Sequence, residues 1–124
     1  SEDMQKRYVK VVEWYGGKEA FQYAANHPIS KEISKSYQNR EKAILQKLIN
    51  KKDCDINSFE IKEIIGEYAF VMKQMCQLKQ EKGVMMGLAK YYRNDKIKPM
   101  IDEKYGKGAS EYFSEAIEAF YKKS

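Results

Sequence analysis

Histidine occurs once in this chain of 124 residues, and proline and cysteine occur twice each. The single histidine, His27, stands before Pro28, where the chain is pushed out of the helical region. That is the place of a helix-end or surface residue, not of a general base. No Ser/His/Asp or Cys/His set assembles around it, and no GxxxxGK[ST] or GxGxxG phosphate loop is present. Glu60, Glu63, Asp102 and Glu103 lack the Glu-x-x-His partner of a di-metal bundle. These absences predict no enzyme, no metal and no cofactor. Cys54 and Cys76 match no zinc or redox spacing. Two free thiols and an N-terminus without an apolar signal segment suit a reducing cytoplasm. No run approaches the ~20 apolar residues of a membrane span.

What is present is a soluble globular composition, 43% hydrophobic and 33% charged, at the length of one domain. Net charge is +5, from 23 basic and 18 acidic residues, with the signs interspersed. A nucleic-acid footprint clusters on one face. Only three arginines occur, at 7, 40 and 93, and no helix has the look of a basic recognition helix.

The periodicities are helical throughout, with Gly and Pro between the periodic runs. Asp3 can cap a helix running to about Tyr15, and Gly16-Gly17 breaks it. A short helix follows from Lys18 to Ala25. Ser30 can cap a long helix over Lys31 to Lys51, with Ile33, Tyr37, Ile44, Leu45, Leu48 and Ile49 as its apolar stripe. Asn57 or Ser58 can cap the next, whose stripe runs from Ile61 to Cys76. Gly66 inside it costs about 1 kcal/mol against alanine, which points to a close helix contact. Gly83 is expected to separate this helix from one over Val84 to Tyr92, and Asn94-Asp95 to end that one. Pro99 suits the first turn of a short helix, and Gly106 and Gly108 the turn after it. A last helix over Ala109 to Lys122 carries Tyr112, Phe113, Ala116, Ile117 and Phe120 inward. The fold class expected is all-α, a single multi-helix domain over residues 1–124.

Met72, Met75, Met85 and Met86 fall near Tyr68, Tyr91 and Tyr92. Methionine adapts to irregular shapes, and tyrosine joins an apolar body to a polar tip. Such residues line pockets for large apolar ligands, and at helical spacing they also build ordinary cores. Tyr91 and Tyr92 are neighbours, ~100° apart on a helix, so one of them faces a groove or solvent.

One ordered set of residues carries a resemblance. Leu88-Ala89-Lys90-Tyr91-Tyr92-Arg93-Asn94-Asp95 is followed by Gly108-Ala109-Ser110 and then by Tyr112 to Ile117 with its Ala-Ile pair. An earlier patch, Tyr15-Gly16-Gly17 leading to Phe21, belongs with them. In this order and spacing the chain resembles the TipAS-type antibiotic-recognition domain, the effector-binding half of MerR-type transcription regulators. Ala89 stands where that family usually has Gly.

The resemblance implies a globin-like helical arrangement with an open cleft for a bulky, amphipathic, antibiotic-like small molecule. The ligand-binding candidates are Met72, Met75, Met85, Tyr91 and Tyr92, with Trp14 and Tyr15 as a lid. DNA would be bound only through an N-terminal domain absent from this chain, with a homodimer conceivable in the full-length regulator. The cysteine that traps thiopeptides in founding members is replaced by Gly87, so binding is expected to be reversible. The alternative is a helical structural or dimerisation module without a small-molecule ligand.

Overall fold

The computed structural model describes residues 31–122. The expected helices over residues 3–25, the Ser30 cap, His27, Trp14 and Tyr15 lie outside the described residues. Five helices follow: α1 (Lys31–Asn50), α2 (Phe59–Cys76), α3 (Lys82–Tyr92), α4 (Lys98–Tyr105) and α5 (Ala109–Tyr121). The fold is all-α, as the periodicity predicts.

The last helix is the hub, packing against each of the other four. Its interior face is Phe113, Ala116 and Ile117 together with the small Ser110 and Ser114, all buried. Small residues let α3 and α5 approach closely. Ser114 Oγ donates to the Ala89 carbonyl at 2.6 Å, and Ala89 is fully buried. A larger side chain at 89 would push these helices apart, which accounts physically for the small residue at this place in the motif. Tyr112, half-buried, donates its hydroxyl at 3.1 Å to the Leu48 carbonyl near the end of α1, which also accepts the Lys51 N–H at 3.0 Å.

Helix ends differ from expectation in instructive ways. Ser58 is the N-cap of α2, but its hydroxyl makes no cap bond. Gly83 does not separate two helices, because it lies in the first turn of α3. The break comes earlier, at Gln77, which takes the left-handed conformation at φ 50°, while the Leu78 N–H returns to the Lys73 carbonyl at 3.1 Å. Gly106 and Gly108 have φ of 112° and 83°, values that call for glycine in this turn. Gly108 caps α5 with no side chain of its own. Asp102 of α4 supplies the missing acceptor, taking the Ser110 N–H on Oδ1 at 2.8 Å. That bond, before any other influence, holds the Asp102 carboxyl below its ordinary range.

The stripe expected on α1 is partly corrected. Ile33 is 51% exposed, and the fully buried residues ahead of Ile44 are polar, Ser34 and Glu41. Tyr37 is half-buried against the core as expected, and from Ile44 onward the apolar pattern matches the fully buried one.

Candidate functional site

Glu41, Tyr68 and Tyr92 sit on α1, α2 and α3, and hydrogen bonds join them in the interior. Tyr68 donates to Glu41 Oε2 at 2.7 Å, and the two tyrosine hydroxyls lie 2.6 Å apart. A phenol has one proton to give. Since Tyr68 gives its proton to Glu41, Tyr92 is the donor to Tyr68. Both rings are fully buried, and Glu41 is 4% exposed. Burying a carboxylate is costly unless it is hydrogen-bonded, and the Tyr68 hydroxyl is one donor that offsets the cost of turning Glu41 inward.

The tyrosine pair also sets the geometry of α2 and α3. The chain reverses over residues 77–81, and Tyr68 meets Tyr92 at the far end, so the two helices run antiparallel. Met72 and Met75 on α2 and Met85 on α3 lie between the tyrosine pair and that turn. The structure therefore places five of the ligand-binding candidates along one hairpin. Met72, Met85 and Tyr92 have no exposed surface, Met75 is 8% exposed, and Tyr91 is half-buried. Tyr91 packs edge-on against Tyr92 with ring centres 6.0 Å apart. Tyr92 packs in the same way on Phe113 at 5.8 Å, and Phe113 on Tyr105 at 5.4 Å. An aromatic run thus leads from the half-buried Tyr91 into the core.

Two hollows open elsewhere on the described surface. One, of about 450 Å³, lies between α1 and α2, with Ile64 in it, Phe59 at its edge, and Lys51, Glu60 and Glu63 around it. The other, of about 510 Å³, follows the outer face of α1 past Lys35, Asn39 and Arg40. Neither is lined by the methionine and tyrosine candidates.

Arg93, at the end of α3, was not singled out from sequence, yet it makes the densest polar contact described. Its Nε and Nη2 donate to Glu111 at 2.9 Å each, and its Nη1 and Nη2 donate to Glu118. Glu111 and Glu118 are seven residues apart on α5 and share a face, so one guanidinium holds both. The signal in the sequence was that i, i+7 acidic pair facing an arginine at a helix end.

Reactive chemistry is sparse. Among the described residues no group of three or more His, Cys, Asp or Glu could hold a metal ion. Both cysteines are free. Burial pushes the Cys76 thiol up to about 12, so at neutral pH it is protonated and a poor nucleophile. Gly87 is buried on α3, one helix away from Cys76.

The fold and this geometry define a class: an all-helical domain with a half-buried tyrosine, Tyr91, packed on an aromatic and methionine-rich interior. Residues 8–120 match the TipAS antibiotic-recognition domain, and the chain belongs to that family. No curated protein and no solved structure matches the chain. Among the described residues no helix is long and apolar enough to cross a membrane.

Proposed function

We propose that this chain is the effector-binding domain of a MerR-type transcription regulator and binds a bulky, amphipathic, antibiotic-like molecule reversibly in the cytoplasm. The observation that carries the reading is the family match over nearly the whole chain. Tyr91 is the described ring best placed to meet a ligand, because it alone of the tyrosine pair is partly exposed. Met72, Met75, Met85 and Tyr92 form the packed wall behind it and give adaptable apolar backing. Trp14 and Tyr15, which lie outside the described residues, are the lid of this proposal. Cys76 is kept protonated by burial, and glycine stands at the trapping position, so no covalent adduct forms there. In this reading DNA is bound only through an N-terminal domain of a full-length regulator, which could itself be a homodimer, and the role of this chain is recognition without catalysis.

A thermal-shift and calorimetric screen against thiopeptides and other bulky antibiotics tests the reading. A ligand at 100 times its dissociation constant adds ~2.7 kcal/mol of stability. Tyr91→Ala is expected to weaken binding by ~1–2 kcal/mol while leaving the fold intact. A panel that shifts nothing sinks the proposal. The second reading, a helical partner-binding module, is favoured by one observation: Met72, Met85 and Tyr92 are wholly buried. It predicts that failure.

A further inference from the structure

The outward face of α2 carries large apolar side chains that its role in the core does not use. Phe59 is 75% exposed and Phe70 is 57% exposed. They are eleven residues apart, three helical turns, and so point the same way, directly opposite the buried stripe of Ile61, Ile65, Tyr68 and Met72. Between them lies Gly66, with the half-buried ring of Phe120 packed over it, 3.7 Å from where a Cβ would stand. The three rings form one aromatic row along the surface. Exposed rows of this kind mark interaction surfaces, where aromatic side chains are enriched.

The charges beside the row differ in sign from one side to the other. By helical position, Glu60, Glu63 and Glu67 flank it on one side, and Lys62 and Lys73 flank it on the other. Lys47 of α1 engages Glu67 at 3.1 Å, which leaves Glu60 and Glu63 as the open acids beside the groove at Phe59. This arrangement chooses both the partner and its orientation. When a second α2 packs antiparallel, face to face, acidic flank meets acidic flank. When it packs parallel about a two-fold axis along the helix, acidic flank meets basic flank, as isologous symmetry requires of a self-complementary patch.

We infer that the outer face of α2 is a self-association surface, on which a second copy of this chain packs parallel with Phe59 and Phe70 at the seam. Lys62 of each copy then reaches Glu63 and Glu60 of the other. One helix face is a small patch, so the dimer is weak and concentration-dependent.

Sedimentation equilibrium on this chain, up to roughly 1 mM, is expected to show reversible growth from 14.6 kDa towards twice that mass. Replacing both exposed rings, Phe59→Ser with Phe70→Ser, should weaken association by at least ~10-fold. An unchanged circular dichroism spectrum and melting temperature would show the variant folded. Lys62→Glu and Glu63→Lys should each weaken self-association, and an equimolar mixture of the two variants should pair again, because both contacts then join opposite charges. A chain that stays monomeric over the whole range overturns the inference. So does a ring variant that associates as the wild type does, or a mixture of charge variants that fails to pair.

Discussion

The hydroxyls of Tyr68 and Tyr92 meet tip to tip at 2.6 Å in the fully buried interior, and Tyr68 passes its own proton on to Glu41. Three helices are thereby joined by two short bonds with a fixed direction. The two tyrosines do not carry equal weight. Tyr92→Phe removes one donor from Tyr68 and is expected to cost ~1 kcal/mol. Tyr68→Phe takes a donor from a buried carboxylate and an acceptor from Tyr92 together, and should cost ~2–3 kcal/mol. Urea midpoints of the two variants measure this. Equal losses, or a larger loss for Tyr92→Phe, would contradict the direction assigned to the chain.

Most of the helical frame was legible because it rests on local chemistry. Pro99, Gly106 and Gly108 mark α4 and its turn by backbone preference alone, and the Ala-Ile pair marks the buried side of α5. Glu41 was not legible as a core residue, although it lies on the same face as Ile44, Leu45 and Leu48. An acidic residue in an apolar stripe is normally assigned to solvent, and Tyr68, a donor that meets it in the interior, is 27 residues away. Gln77 was missed for a similar reason. A left-handed cap favours glycine, and Gly83 drew the boundary six residues late. The candidate site divides the same way. Helical spacing showed that Tyr91 and Tyr92 could not share one environment, but which of them is buried depended on Tyr68 and Phe113, contacts distant in sequence.

Arg93 is expected to act as a fastener between α3 and α5. Its side chain is 31% exposed and those of Glu111 and Glu118 are 43% and 39% exposed, so solvent weakens the contact. Arg93→Ala should lower stability by ~1–2 kcal/mol, and Arg93→Lys should recover little of it, because an ammonium cannot make two forked contacts. The pH dependence follows from Glu111, which the hydrogen bonds from Arg93 hold below its ordinary value of 4.5. A lowered carboxylate pKa contributes stability that is present above 4.5 and lost as pH falls through the folded value. Wild type and Arg93→Ala should therefore differ at pH 7 and converge in acid as Glu111 protonates. Denaturant titrations at pH 7 and stepwise down through the acid range test this, and a gap that never narrows as pH falls would exclude the role given to Glu111.

Two surface changes on α2 should stabilise the chain. A Cβ at Gly66 would meet only the ring edge of Phe120, at 3.7 and 3.8 Å, which is ordinary contact distance. Gly66→Ala should therefore add ~0.5–1 kcal/mol by reducing the freedom of the unfolded chain. The close contact expected at this glycine exists, but it leaves room for a methyl group. Gln77 holds a left-handed conformation that glycine adopts without strain, so Gln77→Gly should add a similar ~0.5–1 kcal/mol. The sites share no partner, so the gains should add in the double variant. A loss at Gly66→Ala in thermal melts would mean that Phe120 cannot accept the methyl.

Cys54 and Cys76 should separate cleanly by reactivity. Cys54 is exposed, while Cys76 is buried on α2 and its thiol is pushed up to about 12 by desolvation. Iodoacetamide at neutral pH should add one adduct to the native chain, at Cys54, and a second only in denaturant. The same burial sets an alkaline limit. A thiol whose folded pKa is raised keeps its full stabilising contribution below the unfolded value, near 9.0, and loses it as pH climbs towards about 12. Burial also raises Tyr112, to about 12, and raises Tyr121, whose hydroxyl donates to Glu81 at 2.8 Å. All three act in the same direction, so stability should hold to about pH 9 and fall steeply above it. Cys76→Ala removes the thiol and should flatten the first part of that fall, at a lower stability at pH 7 from the smaller side chain. Rapid native alkylation at Cys76, read by peptide mass spectrometry, would show that α2 opens at this end and that burial does not protect the thiol.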